Sequence, residues 1–133
     1  MPALQTLALV DRESTPVTHT FTPFEIDANG VGVVTEGGDV QVSASRYTVQ
    51  MRRVAGRYKA RLKMAVPVVQ TETINGVSNP KIVYQSYVDA TFTFDSKSTE
   101  QHRKNVVGMF ASSLDVSKVL VNDTLIKLQG IYR

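Results

Sequence analysis

Cysteine is absent from the 133-residue chain, which excludes a disulfide framework, thiolate metal sites and a cysteine nucleophile. Nothing therefore ties the protein to an oxidising compartment. Histidine is scarce, with only His19 and His102 present, and neither belongs to a metal-ligand spacing. Nucleophile elbows and Gly-rich phosphate loops are missing as well. Catalysis has little support, and neither a metal nor a cofactor is expected. The opening Met1-Pro2-Ala3-Leu4-Gln5 lacks the basic and apolar regions of a signal peptide, and no later apolar run approaches membrane-spanning length. The expectation is a protein made and kept in the cytoplasm. Its 42% hydrophobic residues suffice for one modest core, so a single domain over 1–133 is expected. Self-association would relieve the limited burial available to so short a chain.

Acids are locally missing too: none lies between Asp39 and Glu72, an interval that holds Arg46, Arg52, Arg53, Arg57, Lys59, Arg61 and Lys63. These are seven of the 15 basic residues, leaving 8 to face all 12 acids elsewhere, so one basic region sits on a mildly acidic body. Such segregation favours a polyanionic partner at one surface.

Short runs of β-branched and aromatic residues between Gly, Pro, Asn and Asp predict strands over the first two thirds of the chain. Leu4 to Val10 and Val17 to Thr22 make a first hairpin around 12–16, while Asn29-Gly30 and Gly37-Gly38 bracket the run Val31 to Thr35. The strongest alternation lies between Arg46 and Val66. Arg46, Thr48, Gln50 and Arg52 share one face opposite Tyr47, Val49 and Met51. Arg57, Lys59, Arg61 and Lys63 likewise alternate with Tyr58, Ala60, Leu62 and Met64. A turn centred on Val54 and Ala55 would pair Arg52 with Arg57, Gln50 with Lys59, Thr48 with Arg61 and Arg46 with Lys63, keeping every polar residue on one surface. After Pro67, the signals Asn75-Gly76 and Asn79-Pro80 suggest a long connection, or a hairpin arm, with a mobile tip. Alternation resumes from Ile82 to Phe94, with Ile82, Tyr84, Val88, Ala90, Phe92 and Phe94 opposite Gln85, Tyr87, Asp89, Thr91 and Thr93.

Helical signals come late. Ser98-Thr99-Glu100-Gln101 has the form of a capping box, with Ser98 as the cap. Val106, Val107, Phe110, Ala111 and Leu114 then recur at helical spacing and can cover the dry side of the sheet. A second, shorter helix is expected over Val116 to Val121. The fold class is α+β: an N-terminal β-hairpin, an antiparallel β-sheet and two C-terminal α-helices.

Each candidate functional residue has a plainer reading beside it. His19 and His102 are most simply structural, and Asp95 and Asp115 serve as turn or cap residues. The basic strands could be a solvated face or an edge guarded by charge. However, alternate cations on neighbouring strands repel, and a polyanion would relieve that repulsion. Tyr87 on the wet side offers a platform for a splayed base, while Thr48, Gln50, Asp89 and Thr91 offer hydrogen bonds to base edges. The combination suits RNA loops better than a DNA major groove. A nuclease using His19 or His102 is the distant alternative.

Arg57-Tyr58-Lys59-Ala60-Arg61-Leu62-Lys63, Asn79-Pro80-Lys81-Ile82-Val83-Tyr84, Tyr87-Val88-Asp89-Ala90-Thr91-Phe92-Thr93-Phe94 before Ser98-Thr99-Glu100, and Ala28-Asn29-Gly30-Val31 together resemble the coat proteins of single-stranded RNA bacteriophages, the leviviruses. The resemblance implies an interlocked dimer, in which the C-terminal helices lie across the partner's sheet, and an icosahedral shell built from such dimers. It also implies packaging of single-stranded genomic RNA and binding of a genomic hairpin that represses replicase translation. The matching RNA-binding positions are Arg46, Thr48, Gln50, Arg52, Lys59, Arg61, Lys63, Tyr87, Asp89 and Thr91. Some relatives carry small hydroxyl residues where this chain has Gln50 and Arg61, at positions that shape pockets for unpaired bases. The connection Val68 to Lys81, with Pro80, would make contacts between dimers. A non-assembling RNA-binding regulator is the runner-up reading.

Overall fold

The computed structural model describes residues 3–36 and 44–132, with backbone alone at 69, 71, 72, 79 and 80. The expected turn at Gly37-Gly38 lies outside the described residues. The chain divides into two compact units, Met1–Thr93 and Phe94–Arg133.

Six strands form an antiparallel sheet in sequence order: β1 (Leu7–Val10), β2 (Thr18–Ile26), β3 (Gly32–Glu36), β4 (Ser45–Val54), β5 (Arg57–Ile74) and β6 (Val77–Asp95). Turn chemistry explains the ordering. Asp11 Oδ1 accepts from the backbone N–H groups of Glu13 and Val17, closing the β1–β2 connection. Asp27 does the same for Asn29 and Val31, while Gly30 takes the left-handed φ of 78° that the β2–β3 turn requires. Strand β2 is long enough to serve two neighbours, pairing Leu7 with Phe21 on one side and Thr22 with Thr35 on the other. A one-residue bulge at Phe24 separates the pairs Pro23–Val34 and Glu25–Val33.

The core is small and centred on β3. Val33, Val34 and Thr35 are all buried, together with Phe21 and Ala44. Successive strand residues point to opposite faces, so three buried in a row means that β3 is covered on both sides. An added Cβ at Gly32 would stand 3.1 Å from Leu4 Cδ1, a tight approach to which the Leu4 side chain would have to yield.

The β4–β5 pairing differs from the expected one by two residues. Arg52 faces Lys59, Gln50 faces Arg61, Thr48 faces Lys63 and Arg46 faces Ala65. The cause is the turn. Ala55 and Gly56 occupy its two central positions with φ of 52° and 77°, the conformation of a type I′ hairpin, which suits Gly and excludes β-branched Val54. A shift of two preserves parity, so the polar residues still share one face.

Of the two readings of 68–81, the hairpin arm is the one the structure shows, and there is no long irregular connection. β5 and β6 run to a two-residue turn at Asn75-Gly76, again with positive φ at both positions. Pro67 does not stop β5 because the β4 ladder ends near Arg46–Ala65. Beyond it, one side of the strand needs no backbone donors.

In the second unit α1 spans Glu100–Ser113 and α2 spans Val119–Leu125. The N-cap is Thr99, whose hydroxyl accepts from the His102 N–H at 3.1 Å, one residue later than the capping-box reading. Ser98 is engaged elsewhere, its hydroxyl donating to the Asp95 carbonyl at 2.7 Å. Gln101 turns forward to Asn105 instead of back to the cap. The second helix starts three residues beyond its expected position because Asp115 first forms a turn, accepting from the Ser117 N–H. Neither helix contains a buried residue.

Candidate nucleic-acid interface

The strand period and the β4–β5 register bring together the polar side chains of three neighbouring strands, all within the first unit. Arg46, Thr48, Gln50 and Arg52 come from β4, Lys59, Arg61 and Lys63 from β5, and Tyr87, Asp89 and Thr91 from β6. Arg53 falls on the other face, where its guanidinium lies 5.4 Å from the Tyr58 ring centroid.

The face is not uniform. Arg46, half-buried at its β3 end, sits 5.6 Å over the Phe24 ring, which fixes its charge against β2. Arg52 and Lys59 are directly opposed like charges, whereas Gln50 and Thr48 interpose neutral groups opposite Arg61 and Lys63. Arg52, Lys59 and Lys63 have no salt bridge among the described residues, so they are open to an external anion. Tyr87 is 73% exposed, and its hydroxyl donates to Gln85 Oε1 at 2.9 Å. Its ring face is thereby accessible while its polar end is held.

Asp89 is an acid in this basic setting, and Arg61 donates to both of its carboxylate oxygens. Arg61 Nε donates to Oδ1 at 3.2 Å and Nη2 donates to Oδ2 at 2.7 Å. Hydrogen bonding from Arg61, reinforced by its charge and that of Lys63, holds the Asp89 carboxyl below its usual pKa despite some desolvation. The same bond raises Arg61 further above its already high value.

Two contributors were not among the residues expected from the sequence. Asn29 and Val31, from the β2–β3 connection, join Gln50 and Arg52 around an open hollow of about 510 Å³. Gln50 Nε2 donates to the Asn29 carbonyl at 3.4 Å, tying that turn to β4. The Asn29-Gly30 signal located the turn, but local sequence cannot reveal that it borders the polar face.

His19 stands apart from this surface. It is held between two carboxylates, with Nε2 at 2.7 Å from Asp11 Oδ2 and Nδ1 at 2.9 Å from Glu36 Oε2. The hydrogen bond to Asp11, then that to Glu36, raises its pKa. This is a structural clamp joining the β1–β2 connection to the end of β3. His102 lies exposed in the first turn of α1. Among the described residues no group of three His, Cys, Asp or Glu is arranged to hold a metal ion.

Comparison with known proteins identifies the architecture. The levivirus coat protein family model matches residues 2–132. The capsid protein of Pseudomonas phage PRR1 is 48% identical over 130 residues, covering 97% of this chain and 98% of the relative. Among solved structures, the bacteriophage GA protein capsid superposes with a TM-score of 0.83 at 24% identity, covering 98% of both chains. An unassembled virus coat protein dimer, described as a bacteriophage RNA-binding dimer, gives a TM-score of 0.69 at 19% identity over 98% of each chain. This chain belongs to the levivirus coat protein family, a structural family and not an enzymatic one.

Proposed function

We propose that this levivirus coat protein acts as a single coat-protein domain that forms an interlocked homodimer, and that these dimers assemble into a T=3 icosahedral shell. The shell packages single-stranded genomic RNA, and the same polar face binds an operator-type hairpin to repress translation. Assembly takes place in the cytoplasm of a bacterial host, and the protein ends in the virion.

The observation that carries this reading is the three-strand face. It combines cations with no salt bridge among the described residues, Arg52, Lys59 and Lys63, with an exposed ring at Tyr87, so that phosphates and a splayed base can be engaged on one surface. Support for association comes from the second unit, where Met109 and Leu120 are each 67% exposed and Ile131 is 74% exposed. Apolar surface of this kind calls for cover by a partner, and the PRR1 and GA relatives are capsid proteins. The β5–β6 hairpin around Asn75-Gly76 is assigned to contacts between dimers.

Electron microscopy and light scattering of purified protein test the reading. Dimers and closed particles of uniform size are expected, with RNA inside. A stable monomer under all conditions that still bound RNA would favour the non-assembling regulator instead.

A further inference from the structure

Among the described residues, Arg61 is the one cation of the face held in a salt bridge, its partner being Asp89. An arginine serving only to attract phosphate would do so better without an acid beside it, since Asp89 cancels its charge locally. The contact instead provides orientation. Asp89 occupies the Nε–Nη2 edge of the guanidinium, and the opposite edge still carries parallel N–H groups from Nη1 and Nη2. That edge fits two adjacent acceptors. Its surroundings suit a base. Tyr87 precedes Asp89 by two residues on the same side of β6, about 7 Å along the strand, and Gln50 stands directly across from Arg61.

We propose, building on the reading of this face as RNA-binding, that Asp89 is a positioning residue that makes Arg61 a reader of unpaired bases bearing two adjacent hydrogen-bond acceptors. Guanine offers O6 and N7, and cytosine offers O2 and N3. Adenine and uracil place a donor beside the acceptor at each such edge and cannot satisfy both N–H groups. Asp89 thus acts through Arg61, and its carboxylate is not the group that meets the base.

The test uses hairpin RNAs with one stem and a single unpaired position carrying G, C, A, U or 7-deazaguanine, titrated against the intact wild-type, Asp89→Asn and Arg61→Lys proteins at several salt concentrations. Wild type is expected to prefer G or C over A and U by roughly ten- to a hundredfold, the range for one bidentate contact. Weakening by 7-deazaguanine relative to G identifies the guanine edge. Indifference to it, with C bound tightest, identifies the cytosine edge.

Arg61→Lys keeps the charge and loses the fork, so it should flatten base preference while leaving the salt dependence alone. Asp89→Asn should also flatten the preference, but steepen the salt slope by about 0.7 as Arg61 is released to phosphate. A merely structural Asp89 would not couple these two readouts. Both side chains are about half exposed, and matching circular dichroism of the three proteins will show that the fold is kept. Equal binding of all four bases by wild type, or undiminished preference in Asp89→Asn, overturns the inference while leaving the RNA-binding face standing. Absence of hairpin binding at low salt in all three proteins overturns both.

Discussion

Lys63→Ala gives the sharpest prediction about the polar face. Lys63 lies opposite Thr48 on the β4–β5 ladder and, with Arg52 and Lys59, has no salt bridge among the described residues. If each of these three cations meets one phosphate, the slope of log affinity against log salt should be about −2 to −3 per chain, at roughly 0.7 to 0.9 per contact. Raising salt from 50 to 200 mM then weakens wild type by roughly 20- to 40-fold. Removing Lys63 takes about 0.7 to 0.9 from the slope, so the variant should weaken by only about 7- to 12-fold over the same range. The two curves therefore converge at high salt. Filter binding or fluorescence anisotropy with one hairpin across four salt concentrations measures this. Parallel curves, or a variant with wild-type affinity throughout, would refute the assignment of Lys63 to phosphate.

Tyr87→Ala should cost about 1–3 kcal/mol in binding hairpins with unpaired bases while barely changing affinity for a fully paired duplex, which competition titrations will resolve. Thr99→Ala should destabilise the chain by about 1 kcal/mol through loss of the α1 cap, and Ser98→Ala by less, as read by urea unfolding. The His19 clamp predicts a pH window. Its raised pKa means its stabilisation is complete below the ordinary value near 6.5 and is lost as pH rises through the folded-state value. The Asp11 pKa is lowered, first by the Val17 N–H and then by His19. Its contribution is therefore complete above about 3.9 and lost as pH falls through the lowered value. The melting-temperature gap between wild type and His19→Gln should be widest from about pH 4 to 6.5 and should narrow in alkali; a gap that widens above pH 8 would contradict the clamp.

The division of β4, β5 and β6 into a polar and an apolar face was legible because strand periodicity survives any even shift in register. The register itself was not. Hydrophobic pattern alone leaves a choice between turns at Val54-Ala55 and Ala55-Gly56, and the type I′ geometry with Gly56 at φ 77° decides it. Pro67 is tolerated within β5 for a related reason, since proline breaks a strand only where a neighbour on the side of its missing N–H needs that donor. Ser98 and Thr99 are equivalent caps on paper until the Asp95 carbonyl claims the Ser98 hydroxyl. The Arg61–Asp89 pair spans 28 positions, and the His19 clamp joins residues from three segments. Contacts of that kind follow from topology and leave no local trace in the chain.

The central claim is that RNA meets the chain on the polar face of β4, β5 and β6. Ultraviolet crosslinking of RNA-filled particles, followed by mass spectrometry of the nucleotide-bearing peptides, tests it most directly. Crosslinks are expected in the peptides holding Gln50 and Arg52, Lys59 to Lys63, and Tyr87 to Thr91, with Tyr87 the most frequent adduct. Crosslinks concentrated on β1, α1 or α2, with those peptides unmodified, would contradict the account.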